Sequence, residues 1–193
     1  MLHQQFIIKM EPTKSVEIIE AMLKATRQSV SRNSFYFIFW GFVLIVAGIV
    51  EYLIKDHPNF WMVWPVVTTI GGIASGIYGF IDSRKSPVNT NTDRVIMFTW
   101  LGFVILLAFA IVFSVAHNLP PHALVLMLAG YATFITGGVT KFTPFVLGGV
   151  ALELGAIACS FSELWGYNGL IFAASILIGY VAPGLMLRRK ENG

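Results

Sequence analysis

A lone carboxylate in an apolar run is the residue best placed to do chemistry in this chain. Glu153 sits in Ala151-Leu152-Glu153-Leu154-Gly155, midway along a stretch without other charges. An acid at the centre of a bilayer costs about 2.5–3.5 kcal/mol on insertion scales, so it must face a helix bundle, stay protonated or find donors. Thr68, Thr69, Thr133 and Ser175 fall at similar depth in other runs and could supply hydroxyls. A site of that kind would carry a proton or a cation. The structural alternative is a neutral acid that locks helices together by hydrogen bonds.

A second constellation joins Glu51 to His57, His117 and His122, which all fall near the breaks on one side of the apolar runs. Imidazoles with a carboxylate are ligands for zinc or another divalent metal. Their spacing matches no ligand motif, and His117 and His122 flank Leu119-Pro120-Pro121, a tight turn where exposed histidine is ordinary. Glu51 and Lys55 stand four residues apart, so a surface ion pair on one helix face is the simpler reading of that acid. No apolar run has a histidine at its middle for axial haem ligation. The sequence implies no cofactor.

Other chemistries lack their residues. There is no GxxxxGK[ST] loop, no GxGxxG, no HExxH and no GxSxG. No run carries a row of arginines, and no TVGYG-like filter is present. The single cysteine, Cys159, lies inside an apolar run, which excludes an internal disulfide and reads as a small buried hydrophobe. The net charge of +3 could suggest nucleic acid, but no basic face with interleaved aromatics exists outside the runs.

The elements that must position these residues are membrane helices. Only 12% of the 193 residues are charged, against about 25% in soluble domains. Those charges cluster between six apolar runs: Phe35–Ile54, Phe60–Ile81, Val95–Ala116, Ala123–Val139, Pro144–Phe161 and Gly169–Leu187. Each fits the length of about 17–25 residues that crosses the hydrocarbon. The expected fold is an all-α, six-span bundle over residues 34–187, preceded by a cytoplasmic segment at 1–33 and followed by a basic tail at 188–193. The fourth and fifth runs are short and tightly joined, so a re-entrant pair is the alternative there.

With six spans, twelve of the thirteen Lys and Arg residues fall on one side and only Lys55 on the other. The positive-inside rule then places both termini in the cytoplasm of a bacterial inner membrane. Phe35, Tyr36, Phe37, Phe39 and Trp40 at one interface, and Phe60, Trp61, Trp64, Trp165 and Tyr167 at the other, form the expected aromatic belts. Met1–Met10 lacks the features of a cleavable signal. Thr13–Val30 reads as an amphipathic helix on the membrane surface, or alternatively as a docking helix for a cytoplasmic partner.

Small residues are abundant within the runs. Gly72 and Gly76 form a GxxxG pattern, and Gly137, Gly138, Gly148 and Gly149 form two pairs. In lipid such residues let backbones approach closely, either within the bundle or across a homodimer face. Pro183-Gly184 should kink the last span. Trp40-Gly41-Phe42-Val43 is similar to Trp100-Leu101-Gly102-Phe103-Val104, which suggests a repeated two-span hairpin.

Several segments together resemble an uncharacterised family of bacterial multi-span membrane proteins. They are Ser34–Gly41, Phe134–Pro144, Gly148-Gly149 and Gly179–Gly184. The resemblance runs from about Met10 onward and implies a six-helix membrane fold but no activity. It also implies a native start at Met10, from Met10-Glu11-Pro12. Three function classes follow from the residues: a non-enzymatic sensory, scaffold or regulatory component; a proton- or cation-coupled carrier or channel built on Glu153; and a metal- or lipid-binding membrane protein.

Overall fold

The computed structural model describes residues 34–83 and 91–192. Six helices long and apolar enough to cross a bilayer follow one another: Ser34–Leu53, Phe60–Ile81, Thr92–His117, His122–Thr140, Thr143–Ser160 and Glu163–Arg189. The chain is an all-α helix bundle and a multi-pass membrane protein. The expected N-terminal helix at Thr13–Val30 lies outside the described residues. The fourth and fifth runs form separate helices of 19 and 18 residues, each long and apolar enough to cross a bilayer by itself.

We label the helices α1 (Ser34–Leu53), α2 (Val63–Ser83), α3 (Asn91–His117), α4 (His122–Thr140), α5 (Thr143–Ser160), α6 (Asn168–Ile176) and α7 (Ala182–Asn192). A 3-10 turn, Phe60–Met62, leads into α2, and another, Ser162–Tyr167, leads into α6. The sixth span comprises α6, a π-helical stretch at Leu177–Val181, and α7. The π stretch is how the chain absorbs Pro183. Proline has no N–H for the carbonyl one turn earlier, and a locally wider turn accommodates the mismatch without breaking the span.

Short connections force antiparallel neighbours. The α4–α5 turn closes on Lys141, in the left-handed region at φ 54°, whose N–H bonds back to the end of α4. Pro144 then sits in the first turn of α5, where its missing N–H costs nothing. The α3–α4 turn uses Asn118, also left-handed at φ 53°.

Both ends of the bundle are tied by aromatic rings. At the end holding the start of α1, Phe37 stacks on Phe145 at 4.1 Å, with Trp100 and Tyr180 at its edges. At the opposite end, here the distal end, Trp64 meets His122 and Phe172 edge to face. The sixth span is the hub, with 56% of its apolar window buried against 6% for the second span. Ile70, Ile73 and Ile77 on α2 and Val104, Ile105 and Phe109 on α3 point outward. An apolar exterior of that extent is suited to lipid, not to water.

Glycines set the interhelical distances. A methyl group on Gly48 would strike the Gly169 carbonyl at 2.5 Å, and Gly169 abuts the Gly48 carbonyl in return. Gly148 and Gly179 make the same reciprocal contact between α5 and the π stretch. Gly137 and Gly149 also pack inside the bundle, whereas Gly72, Gly76 and Gly138 meet nothing within 4 Å. The two similar tryptophan segments are used differently. Gly41 lies against Val181 and Tyr180, while Gly102 has no neighbour within 4 Å.

Candidate functional site, a buried carboxylate–imidazole pair

The last full turn of α1 carries Glu51, and the first residue of α4 is His122. Their side chains meet at the distal end, with His122 Nε2 2.7 Å from Glu51 Oε2. Both are buried, with side chains 6% and 10% exposed respectively. With Glu51 ionised its carboxylate only accepts, which assigns the hydrogen to Nε2 and leaves the lone pair of the neutral ring on Nδ1. The close approach of α1 and α6 makes this burial feasible. Gly48 and Gly169 bring the two backbones together, and a side chain on Gly169 would lie 3.2 Å from Glu51 Oε2. Trp64 and Phe172 wall the imidazole, with ring centroids 5.6 and 5.8 Å from it.

This arrangement corrects two sequence expectations. His122 is not an exposed turn residue, because the turn ends at Pro121 and the helix begins with the imidazole pointing inward. Nor does Glu51 pair with Lys55. The Lys55 ammonium instead sits over the Tyr52 ring, 4.8 Å from its centroid, with Tyr167 at 5.7 Å. A cation over aromatic faces keeps its hydration while covering apolar surface.

The four-residue metal set does not assemble. His57 is exposed and accepts a hydrogen bond from the Asn59 amide at Nδ1, and exposed His117 lies against Phe113. Among the described residues no three His, Cys, Asp or Glu side chains are grouped to hold a metal ion. The physical reason is direction. Glu51 and His122 are consumed by each other inside the bundle, while the other two histidines follow the turns outward.

The hydroxyls proposed around Glu153 are likewise dispersed. Thr133 donates to its own helix at Ala129 O, 2.7 Å. Ser175 donates to Ile171 O, 2.7 Å, and packs against Gly155. Thr68 is exposed and bonded to Trp64 O, and Thr69 is exposed. Back-bonding within the helix is the usual recourse of Ser and Thr in apolar surroundings. Glu153 itself is half-buried, lying across Gly130, where an added methyl would come within 2.9 Å of its Oε1. Among the described residues it has no hydrogen-bond partner.

Sequence reasoning missed Trp64 and Asn168 as members of the distal site. Asn168, at the start of α6, is buried with both amide atoms unpartnered, and the Trp64 Nε1 is buried and unpartnered too. The only signal for Asn168 was an amide at the mouth of an apolar run. Compared with family models, curated proteins and solved structures, the chain matches none, so the distal carboxylate–imidazole pair has to be interpreted from its own geometry.

Proposed function

We propose that this protein is a non-enzymatic sensory or regulatory component of a bacterial inner membrane. In this reading both termini are cytoplasmic, because twelve of thirteen basic residues then face inward. The distal end faces outside, and the Glu51–His122 pair responds to the external proton concentration. The observation that carries the reading is the 2.7 Å contact between two buried ionisable side chains on different spans. An imidazole bonded to a carboxylate through one ring nitrogen can take a further proton on the other. Protonating a ring already bonded to a carboxylate changes the charge of the joint between α1 and α4 from negative to neutral. The bundle then settles into a different packing, which the cytoplasmic face transmits to a partner at the basic N-terminal segment.

The test is a distance measurement between spin labels at Lys55→Cys and Leu119→Cys, both exposed distal positions, in a Cys159→Ala background. The reading expects the distance distribution in lipid to differ between pH 5 and pH 8, and the difference to vanish in His122→Gln. Identical distributions at both pH values would discard it.

Glu153 supports a second reading, a proton- or cation-coupled carrier. A half-buried mid-span carboxylate with no hydrogen-bond partner among the described residues is able to exchange a proton. Flux through reconstituted vesicles that is lost in Glu153→Gln would favour this reading over the first.

A further inference from the structure

Among the described residues six buried side-chain polar atoms have no hydrogen-bond partner, and five of them lie at the distal end. They are Trp64 Nε1, Ser114 Oγ, His122 Nδ1 and both amide atoms of Asn168. Two of these residues border the Glu51–His122 pair, and a third, His122, belongs to it. Trp64 is in ring contact with His122, and Phe172, one turn after Asn168 on the same helix face, touches both rings. Gly169, next to Asn168, lies against the Glu51 carboxylate. Ser114 belongs to the last turn of α3, at the same end.

Each such atom left dry costs about 1–3 kcal/mol, so a cluster of them calls for an occupant. The donor and acceptor pattern identifies its chemistry. Trp64 Nε1–H can only donate, the His122 Nδ1 lone pair accepts, and Asn168 does both. A cation would face the indole N–H, and an anion would face Glu51 and a lone pair. Water is neutral, donates and accepts, and makes about three hydrogen bonds when buried among polar groups.

We propose that Trp64, His122 and Asn168 form a water-binding cage through which protons reach the Glu51–His122 pair from the distal face. A hydrated proton arrives at the cage water, which gives one hydrogen to His122 Nδ1 and is left as neutral water. The imidazolium keeps its Nε2–H on Glu51, so the pair gains one positive charge and no bond to carbon changes. Around the ring, Glu51 is the titratable group from α1. Cys159 on α5 is within electrostatic reach of Glu51, and Lys55 lies farther out over Tyr52 and Tyr167. Among the described residues, α2 and α6 present neutral polar or aromatic groups there, Trp64, Asn168 and Phe172, and α3 places neutral Ser114 at the same end. The hydration stands on the unpartnered atoms alone, while the proton route rests on the sensory reading above.

Radiolytic hydroxyl-radical labelling of the full-length protein in vesicles, read by mass spectrometry, tests both parts. Water activated inside a protein labels the side chains it touches. Phe172 and Phe145 are equally buried, at opposite ends, so they form an internal comparison. The proposal expects Phe172 and His122 to be labelled severalfold faster than Phe145, and the excess to disappear in Asn168→Leu. Trp64→Phe, which removes the indole N–H and keeps a smaller aromatic ring in the wall, should reduce the excess if Asn168→Leu fails to fold. Labelling of Phe172 at the Phe145 rate in the native protein overturns the cage. Persistence of the excess in both variants overturns the assignment to these residues. Excess labelling in the native protein with no pH response of the spin labels retains the water site and removes the sensory reading. Loss of labelling in a variant that keeps the pH response removes the proton route.

Discussion

Replacing His122 by alanine would leave the Glu51 carboxylate buried without its partner, and this is the most exacting test of the distal site. Removing the partner of a buried, hydrogen-bonded carboxylate leaves that charge neither solvated nor compensated, at a cost of about 1–3 kcal/mol or more. Glu51→Ala should cost less, since a neutral imidazole is easier to strand than a carboxylate. The double variant should cost clearly less than the sum of the two. Hydrogen bonds to charged groups contribute about 1.5–3 kcal/mol. Polar pairs in membrane proteins average about 0.6 kcal/mol with a maximum of about 1.7. The 2.7 Å length and the burial of both side chains place this pair at the upper end of the membrane range, at a coupling energy of about 1.5 kcal/mol. The assay is denaturation by sodium dodecyl sulfate in mixed micelles, followed by tryptophan fluorescence, for the native protein, both single variants and the double. His122→Gln, which can return an N–H to the Nε2 position, should recover part of the loss. A coupling energy below about 0.5 kcal/mol, within the additivity error of distant sites, would refute the claim that the two residues act as a unit.

Other predictions follow from the glycine contacts and the α4–α5 turn. Gly48→Ala drives a methyl into the Gly169 carbonyl and should cost about 1–3 kcal/mol, with a lower midpoint in the same denaturation assay. Gly72→Ala meets nothing in the bundle and should be neutral or stabilising by up to about 1 kcal/mol; a large loss would reveal a neighbour outside the chain, such as a second copy across a dimer face. Lys141→Gly relieves a left-handed backbone and should raise stability by about 1 kcal/mol, and a fall would mean that the ammonium has a role the turn geometry does not show.

The residues that drew attention in the sequence and those the structure brings together overlap only in part. Glu51 and His122 stood out, but as members of a four-residue metal set, and Lys55 was the nearer partner for Glu51 along the chain. Prolines beside His122 marked a turn correctly and suggested exposure wrongly, because the helix starts with the ring already facing inward. Glu153 was placed correctly at mid-span, yet the hydroxyls expected around it are spent on their own helices. Gly148 and Gly149 pack inside the bundle, while Gly72 and Gly76, the most recognisable motif, touch nothing within it.

The amino-acid sequence alone determined the number of spans, their approximate positions and the up-and-down order of the chain, while the third and sixth spans extend beyond their apolar runs to 26 and 27 residues. These are local properties: in hydrocarbon each segment must satisfy its own backbone hydrogen bonds, so a long enough apolar run is a helix whatever surrounds it. Only the tertiary structure decided which way each helix is turned about its axis, and therefore that residues 71 positions apart meet as Glu51 and His122. Lipid offers little contrast between an apolar face that is buried and one that is not, so the sequence leaves rotation unmarked. Close backbone contacts such as Gly48 with Gly169 set it instead, and those exist only once the helices have packed.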